Sequence, residues 1–341
     1  MNVSSNTRKA IEDLLKSFET TERTPSEVRQ LNRSINTITD LVNGPSSSLD
    51  IKIASSAIEE MSRAFTMFAP FRNVRKVSIF GSARTTSDSP IYALASATAK
   101  ALADHHFMVV TGAGPGIMEA GMVGAGRENS IGVSIRLPFE TGANSVIAGD
   151  DKYVSMRYFF TRKLMLVKES HAFLCMPGGF GTLDETFELL TLAQTAKSVP
   201  VPIVFLEVPG HPFWTPLMKA MEPLLLDHGL ISASDTSLYT ITDNIDDAVN
   251  EITRFYSNYD SIRFVDGLLY IRVQRAIPDG QFVDVASRFA SLAVDGVIQQ
   301  TSATPEEVKD NDVPDLPRIC LQYAAKGFAD LRGLIDALNQ F

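Results

Sequence analysis

Residues 172–185 read Ala172-Phe173-Leu174-Cys175-Met176-Pro177-Gly178-Gly179-Phe180-Gly181-Thr182-Leu183-Asp184-Glu185. An apolar run of strand length stops at a proline, passes three glycines and opens into a helix with threonine and acids at its start. Such a turn builds an anion site, because free N–H groups point outward at the helix N-terminus and the helix dipole favours negative charge. Gly178, Gly179 and Gly181 allow the backbone to approach a phosphate where a Cβ would block it. Thr182 adds a hydroxyl donor. Glu185 falls one turn into the helix, beside the bound group rather than in the phosphate cup. A carboxylate there works against simple anion binding but suits chemistry on the sugar next to the phosphate.

The chain around this stretch alternates strands and helices. From Lys76, the strand Val77–Phe80 leads into Gly81-Ser82-Ala83-Arg84. A helix over Ile91–Asp104 and the strand Phe107–Val110 follow, then Thr111-Gly112-Ala113-Gly114-Pro115-Gly116 entering a second helix. Strands at Ile131–Ile135, Ala172–Met176 and Val201–Leu206 complete the series. This alternation predicts an α/β fold, a Rossmann-like, doubly wound and mainly parallel sheet. In such a sheet the loops after the strands gather on one edge, so the three glycine turns meet in one crevice.

Helices flank this core on the N-terminal side. Ile11, Leu14, Leu15 and Phe18 sit at helical spacing, and Thr24-Pro25-Ser26-Glu27 is a capping box ahead of the stripe Val28, Leu31, Ile35, Ile38 and Val42. Gly44-Pro45 ends that helix, and another runs from Asp50 to Phe68. The expected role of this region is a helical layer over the next domain, with a dimerisation or regulatory arm as the alternative. Beyond Tyr256, a hairpin turns at Asp266-Gly267, a helix carries Phe282, Val285, Phe289 and Leu292, and Thr304-Pro305-Glu306-Glu307 starts a short helix. Leu331, Leu334, Ile335 and Leu338 stripe a last helix. The expected division is a helical extension over 1–70, the Rossmann-like domain over 71–255 and a small α+β appendage over 256–341.

Several functions are disfavoured. The formal charge of −9 argues against nucleic acid as a partner. No apolar run reaches membrane-spanning length, the N-terminus is polar, and only Cys175 and Cys320 occur, so a cytoplasmic protein without a disulfide framework is expected. Gly112 and Gly114 match the first two glycines of a dinucleotide fingerprint, but Ile117 stands where the third belongs. Arg136, rather than an acid, ends the following strand, which leaves an NADP enzyme as a weaker reading. No P-loop is present. His105, His106, His171, His211 and His228 form no ligand spacing, so no metal or other cofactor is expected. Arg162-Lys163 lies on a helix feeding directly into the Ala172 strand, whose apolar residues should pack on the sheet. A guanidinium there can grip phosphate in two places, whereas the lysine acts as a point charge.

With these residues in view, the chain resembles the LOG (Lonely Guy) family of nucleoside 5′-monophosphate phosphoribohydrolases. That family pairs an Arg-Lys dipeptide with P-G-G-x-G-T-x-x-E, here Arg162-Lys163 and Pro177 through Glu185. Gly81-Ser82-Ala83-Arg84, Gly114 through Ala120 and Gln194-Thr195-Ala196-Lys197 extend the likeness, which covers 75–255. The resemblance implies hydrolysis of the N-glycosidic bond of a nucleoside 5′-monophosphate, AMP-like or a cytokinin nucleotide, to free base and ribose 5-phosphate, with Arg162 and Glu185 catalytic. It also implies a substrate site built from Gly81, Ser82, Gly114, Gly116, Glu119, Lys163, Gly178, Gly179, Gly181 and Thr182. Glu119 would reach ribose hydroxyls or serve only helix-start electrostatics. Family members are often labelled lysine decarboxylases, yet no lysine here has a recognisable pyridoxal-phosphate context. A homodimer or larger homo-oligomer is implied, and the alternative function is a nucleotide sensor or carrier without catalysis. Two departures stand out: Ala113 replaces a glycine common in its turn, and His105-His106 fill a turn where glycine is usual.

Overall fold

A computed structural model describes residues 9–10, 13–14, 16–17, 23–137, 142–324 and 327–341. Of the first expected helical stripe, Ile11, Leu15 and Phe18 lie outside these residues. The chain forms two compact units, Met1–Glu60 and Met61–Phe341.

In the first unit, α1 (Pro25–Asn43) starts where the sequence places it. Thr24 accepts from the Glu27 N–H while the Glu27 carboxylate accepts from the Thr24 N–H, with Pro25 at the first helical position. None of its residues is buried, and Leu31, Ile38 and Val42 of its apolar stripe are exposed. A second helix, α2 (Ser48–Phe68), runs on into the second unit.

The second unit is built on seven parallel strands: β1 (Lys76–Phe80), β2 (Met108–Thr111), β3 (Ser130–Ile135), β4 (Tyr153–Met156), β5 (Ala172–Cys175), β6 (Ile203–Leu206) and β7 (Thr240–Thr242). Their order is β4-β3-β2-β1-β5-β6-β7. The central strands are buried on both faces, which explains their near-continuous apolar reading. Alternate residues serve opposite faces. Val77, Ile79, Ala172 and Leu174 pack with α3 (Pro90–Asp104), α4 (Ile117–Ala125) and α8 (Ile245–Arg254). Phe80, Phe173 and Cys175 pack on the other side with α5 (Phe159–Lys168), α6 (Phe180–Gln194) and α7 (Trp214–Asp227). Helices on both faces make the sheet doubly wound, as the alternation of elements predicts.

The C-terminal part adds an antiparallel sheet of four strands in the order β10-β11-β9-β8. These are β8 (Tyr259–Val265), β9 (Leu268–Val273), β10 (Ala293–Thr301) and β11 (Arg318–Tyr323), accompanied by α9 (Asp279–Arg288), α10 (Pro305–Lys309) and α11 (Phe328–Leu338). The β8–β9 hairpin turns at Asp266 and Gly267, both with positive φ (49° and 83°), the conformation that an Asp-Gly pair favours. Strands β4, β7, β10 and β11 were not expected from the sequence.

Strand order fixes where a ligand can go. β1 lies between β2 and β5, so the connections from β1 and from β5 leave toward opposite sides. The crevice at such a reversal, outside the strand C-termini, is the binding position of open α/β sheets. Here it lies between the Gly81 and Gly178 turns, since Phe80 pairs with Cys175.

Candidate functional site

The two turns at the crevice are joined by their backbones. The Met176 N–H donates to the Phe80 carbonyl (2.8 Å), and the Ser82 N–H donates to Pro177 (3.3 Å). The Ser82 carbonyl in turn accepts from the Ile117 N–H at 3.0 Å, which ties the Gly81 turn to the start of α4. Gly116 has φ +69°, and a Cβ there would lie 2.4 Å from the Ser82 carbonyl oxygen. This glycine is a brace between turns.

The turns open on a cavity of about 890 Å³. Gly81, Ser82 and Gly114 line one part of it, and Gly178, Gly179, Gly181 and Thr182 another. Gly179 is the N-cap of α6, and among the described residues no side chain caps the helix, so its first N–H groups are without helical acceptors at this wall of the cavity. The glycines differ in their reasons. A Cβ at Gly178 would meet the Thr182 hydroxyl oxygen at 2.2 Å, so this position is small because the turn is tight. Among the described residues, a Cβ at Gly179 or Gly181 would meet nothing within 4 Å. Those two leave room for a ligand.

Arg162 and Glu185 both line the cavity. Arg162 comes from α5, and its Nε donates to the Val133 carbonyl of β3 at 3.2 Å. Its guanidinium occupies the space beside Gly112, where a Cβ would lie 2.4 Å from Nη2. Gly112, half of a broken dinucleotide fingerprint in sequence, thus makes way for an arginine. Glu185 is 9% exposed. Burial pushes its pKa above the ordinary range; Arg162 and then Lys163 pull it down, Glu188 and Asp184 push it up, and the net direction is upward. Beneath it, burial pushes the Cys175 thiol up to about 12, so this cysteine is a neutral packing group.

Three of the residues named from sequence lie off the cavity wall: Gly116, Glu119 and Lys163. Glu119 sits on α4 near Tyr92, whose phenol is raised by burial first and by Glu119 second. Lys163 is ion-paired with Asp184 and Glu188. The apolar residues of α5 divide: Met165 and Leu166 are buried in the sheet face, whereas Phe159, Phe160 and Leu164 are exposed. The expectation that they all pack on the sheet is corrected here, because one face of a helix cannot carry all of them.

Other wall residues are not singled out by the sequence, although some stand inside its motifs. Arg84 stands on the Gly81 turn, Met118 on α4, and Phe180, 92% exposed, inside the glycine motif itself. Phe213 and Leu217 come from the start of α7. That start is set by Glu207, which accepts from the N–H groups of Phe213 (2.7 Å), Trp214 (2.7 Å) and Thr215 (3.1 Å) and from the Thr215 hydroxyl. The Trp214 indole then donates to the Cys175 carbonyl at 2.9 Å, fixing the strand end ahead of the glycine turn. No signal in the local sequence marks this long-range chain of contacts. Among the described residues no group of histidine, cysteine or carboxylate side chains is arranged to hold a metal ion, and no helix is long and apolar enough to cross a membrane.

Comparison with known proteins agrees with this part of the chain. A family model described as "Possible lysine decarboxylase" matches residues 115–252, less than half of the chain. Among the described residues no lysine lines the cavity. A protein of Oryza sativa subsp. japonica named "Probable cytokinin riboside 5'-monophosphate phosphoribohydrolase LOG4" is 27% identical over 53% of this chain and 77% of its own length. The cytokinin riboside 5′-monophosphate phosphoribohydrolases of Arabidopsis thaliana and Mycobacterium tuberculosis are 28% and 31% identical over 30% and 29% of this chain. Those two matches span 45% and 51% of the relatives' own lengths. A solved structure of the molybdenum cofactor carrier protein from Chlamydomonas reinhardtii aligns over 52% of this chain and 94% of its own, with 20% identity and a TM-score of 0.34, too low to carry an argument. The chain is therefore homologous in part, and at low identity, to LOG phosphoribohydrolases.

Proposed function

We propose that this protein, whose homology supports the handling of a nucleotide, hydrolyses the N-glycosidic bond of a nucleoside 5′-monophosphate to free base and ribose 5-phosphate. The observation that carries the reading is that Arg162 and Glu185, from two different helices, both reach the cavity that the β1 and β5 glycine turns open on. The 5′-phosphate sits at the N-terminus of α6, over Gly179 and Gly181. Anchoring the phosphate spends remote binding energy on placing C1′. One water then adds across the bond: its oxygen joins C1′, the C1′–N bond breaks, and a proton ends on the departing base. Glu185 faces the positive charge that develops at C1′ and can accept from the attacking water. Burial holds its pKa upward, toward the range in which a carboxyl exchanges protons with substrate. Arg162 supplies the fixed positive charge beside it.

The aromatic and aliphatic wall of Phe180, Phe213 and Leu217 suits a flat base. The family resemblance implies at least a dimer, and the exposed Phe160 and Leu164 offer apolar surface for a second copy to cover. Light scattering on the eluted protein checks that assembly. The two cysteines are buried and unpaired, which fits a reducing compartment.

Purified protein incubated with AMP, GMP, CMP and UMP, and with the matching nucleosides, tests the reaction. Free base and ribose 5-phosphate should appear from at least one monophosphate, with the nucleosides at least ~100-fold poorer because they lack the anchoring group. Phosphate-dependent binding without turnover would replace the enzyme with a sensor or carrier.

A further inference from the structure

α5 delivers two adjacent cations to the region of the site, and they go to different places. Arg162 enters the cavity. Lys163 does not: its Nζ lies 2.7 Å from Asp184 Oδ2 and 2.6 Å from Glu188 Oε2, with only 15% of the side chain exposed. Burial works against that ammonium, but the bonds to Asp184 and Glu188 outweigh it and leave its pKa raised. Both acceptors belong to α6, one residue before Glu185 and three after it. Three apart on a helix is the same face, so Glu188 stands beside Glu185.

We infer that Lys163 is a positioning residue: it ties α5 to α6 across the Glu185 turn and neutralises the acidic pair flanking Glu185, so that Arg162 and Glu185 stay in register at the cavity. The inference rests on the proposed roles of Arg162 and Glu185, and it removes Lys163 from the set of phosphate ligands.

The charges facing Glu185 can be named element by element. From α5 come Arg162 and Lys163, both favouring the carboxylate; from its own helix come Asp184 and Glu188, both opposing it. From β5 comes the neutral Cys175 thiol. Asp184 and Glu188 without their counter-charge would favour the protonated acid. The neutral acid could neither stabilise positive charge at C1′ nor accept from water. An arginine in place of Lys163 keeps the charge and can still bridge two carboxylates, whereas a methionine keeps only the length.

Lys163→Met and Lys163→Arg are compared with the wild type by three readouts: calorimetric titration with ribose 5-phosphate, the pH dependence of kcat and KM for AMP, and ¹³C NMR of the Glu185 carboxyl. In Lys163→Met we expect kcat to fall at least ~10-fold while KM and the ribose 5-phosphate Kd stay within about 3-fold. The Glu185 titration and the acidic limb of kcat should move to higher pH, because a favouring cation is gone and two opposing anions are released. Lys163→Arg should restore kcat to within about 3-fold, and adding Asp184→Asn and Glu188→Gln to Lys163→Met should bring the titration back down. A ribose 5-phosphate Kd at least ~10-fold weaker with kcat retained would make Lys163 a phosphate ligand and overturn the inference. An unmoved Glu185 titration would overturn it as well. Absence of turnover in the wild type would count against the proposed reaction alone, since the binding and NMR readouts judge Lys163 without it.

Discussion

Glu185 and Glu207 lie at the same edge of the parallel sheet, and both are hidden, at 9% and 6% exposure. Their surroundings push them in opposite directions. Burial raises each, but at Glu207 the Thr215 hydroxyl and the N–H groups of Thr215, Phe213 and Trp214 outweigh it and hold the carboxyl below its ordinary value of 4.5. At Glu185 burial wins and the pKa is raised. Among the described residues no backbone N–H donates to Glu185. A buried carboxylate with a full set of donors is a structural fastener, whereas one left short of donors carries an unmet demand that a substrate can satisfy. Glu307 extends the contrast. Fully buried in the C-terminal sheet module, it accepts from its capping partner Thr304 and from Arg272 and Arg318, which bring it down to about 2 against the effect of burial.

This comparison can be broken by experiment. The largest effect expected is on turnover: Glu185→Gln should lower kcat by ~10³-fold or more, within the range of a lost acid–base or charge-stabilising group. Its melting temperature should equal or exceed that of the wild type. Glu207→Ala should do the reverse, costing about 2–4 kcal/mol of stability because three N–H groups of the α7 start lose their acceptor. Chemical denaturation measures the loss, and a variant as stable as the wild type would remove Glu207 from the scaffold. Gly179→Ala should leave denaturation unchanged, since its Cβ meets nothing among the described residues and its φ is −88°, yet raise KM for AMP about 10-fold by occupying ligand space.

The smallest effect is in the pH dependence of stability. Glu207 has a lowered folded pKa, so its contribution is complete above the unfolded value near 4.5 and is lost as pH falls through the folded value. Glu185 has a raised folded pKa, so it costs stability as pH rises from 4.5 through its folded value. Removing it with Glu185→Gln should therefore stabilise at neutral pH but not at pH 4, a difference that unfolding curves at the two pH values resolve. Equal effects at both would contradict the donor-poor reading of Glu185.

Much of the frame was legible. β1, β2, β3, β5 and β6 announce themselves because strands buried on both faces read as short apolar runs, and the alternating helices fix a parallel sheet. The Asp266-Gly267 turn and the two threonine capping boxes are equally local signals. Other strands failed to show because their signal is tertiary. β10 is mostly exposed and has no alternation to read. β11 begins with Arg318, a residue that looks solvent-facing until Glu307 supplies its buried partner. β4 and β7 are short edge strands. At the site, sequence could place Arg162 and Lys163 on one helix but not say which entered the cavity, because helix α6 decides that. Ala113 and His106, noted as departures from glycine, indeed sit at φ +58° and +66°. They adopt the left-handed conformation that glycine would take without cost, so the turn geometry is held by its surroundings rather than by residue choice.

The most direct test of the account is a single paired assay: release of free base and ribose 5-phosphate from the best monophosphate, by wild type and folded Glu185→Gln. Equimolar products from the wild type, and loss of at least ~10³-fold in a variant that is at least as stable, are the predicted result. Turnover that survives the substitution, in a protein that still binds ribose 5-phosphate, would contradict the assignment of the chemistry to the donor-poor carboxylate.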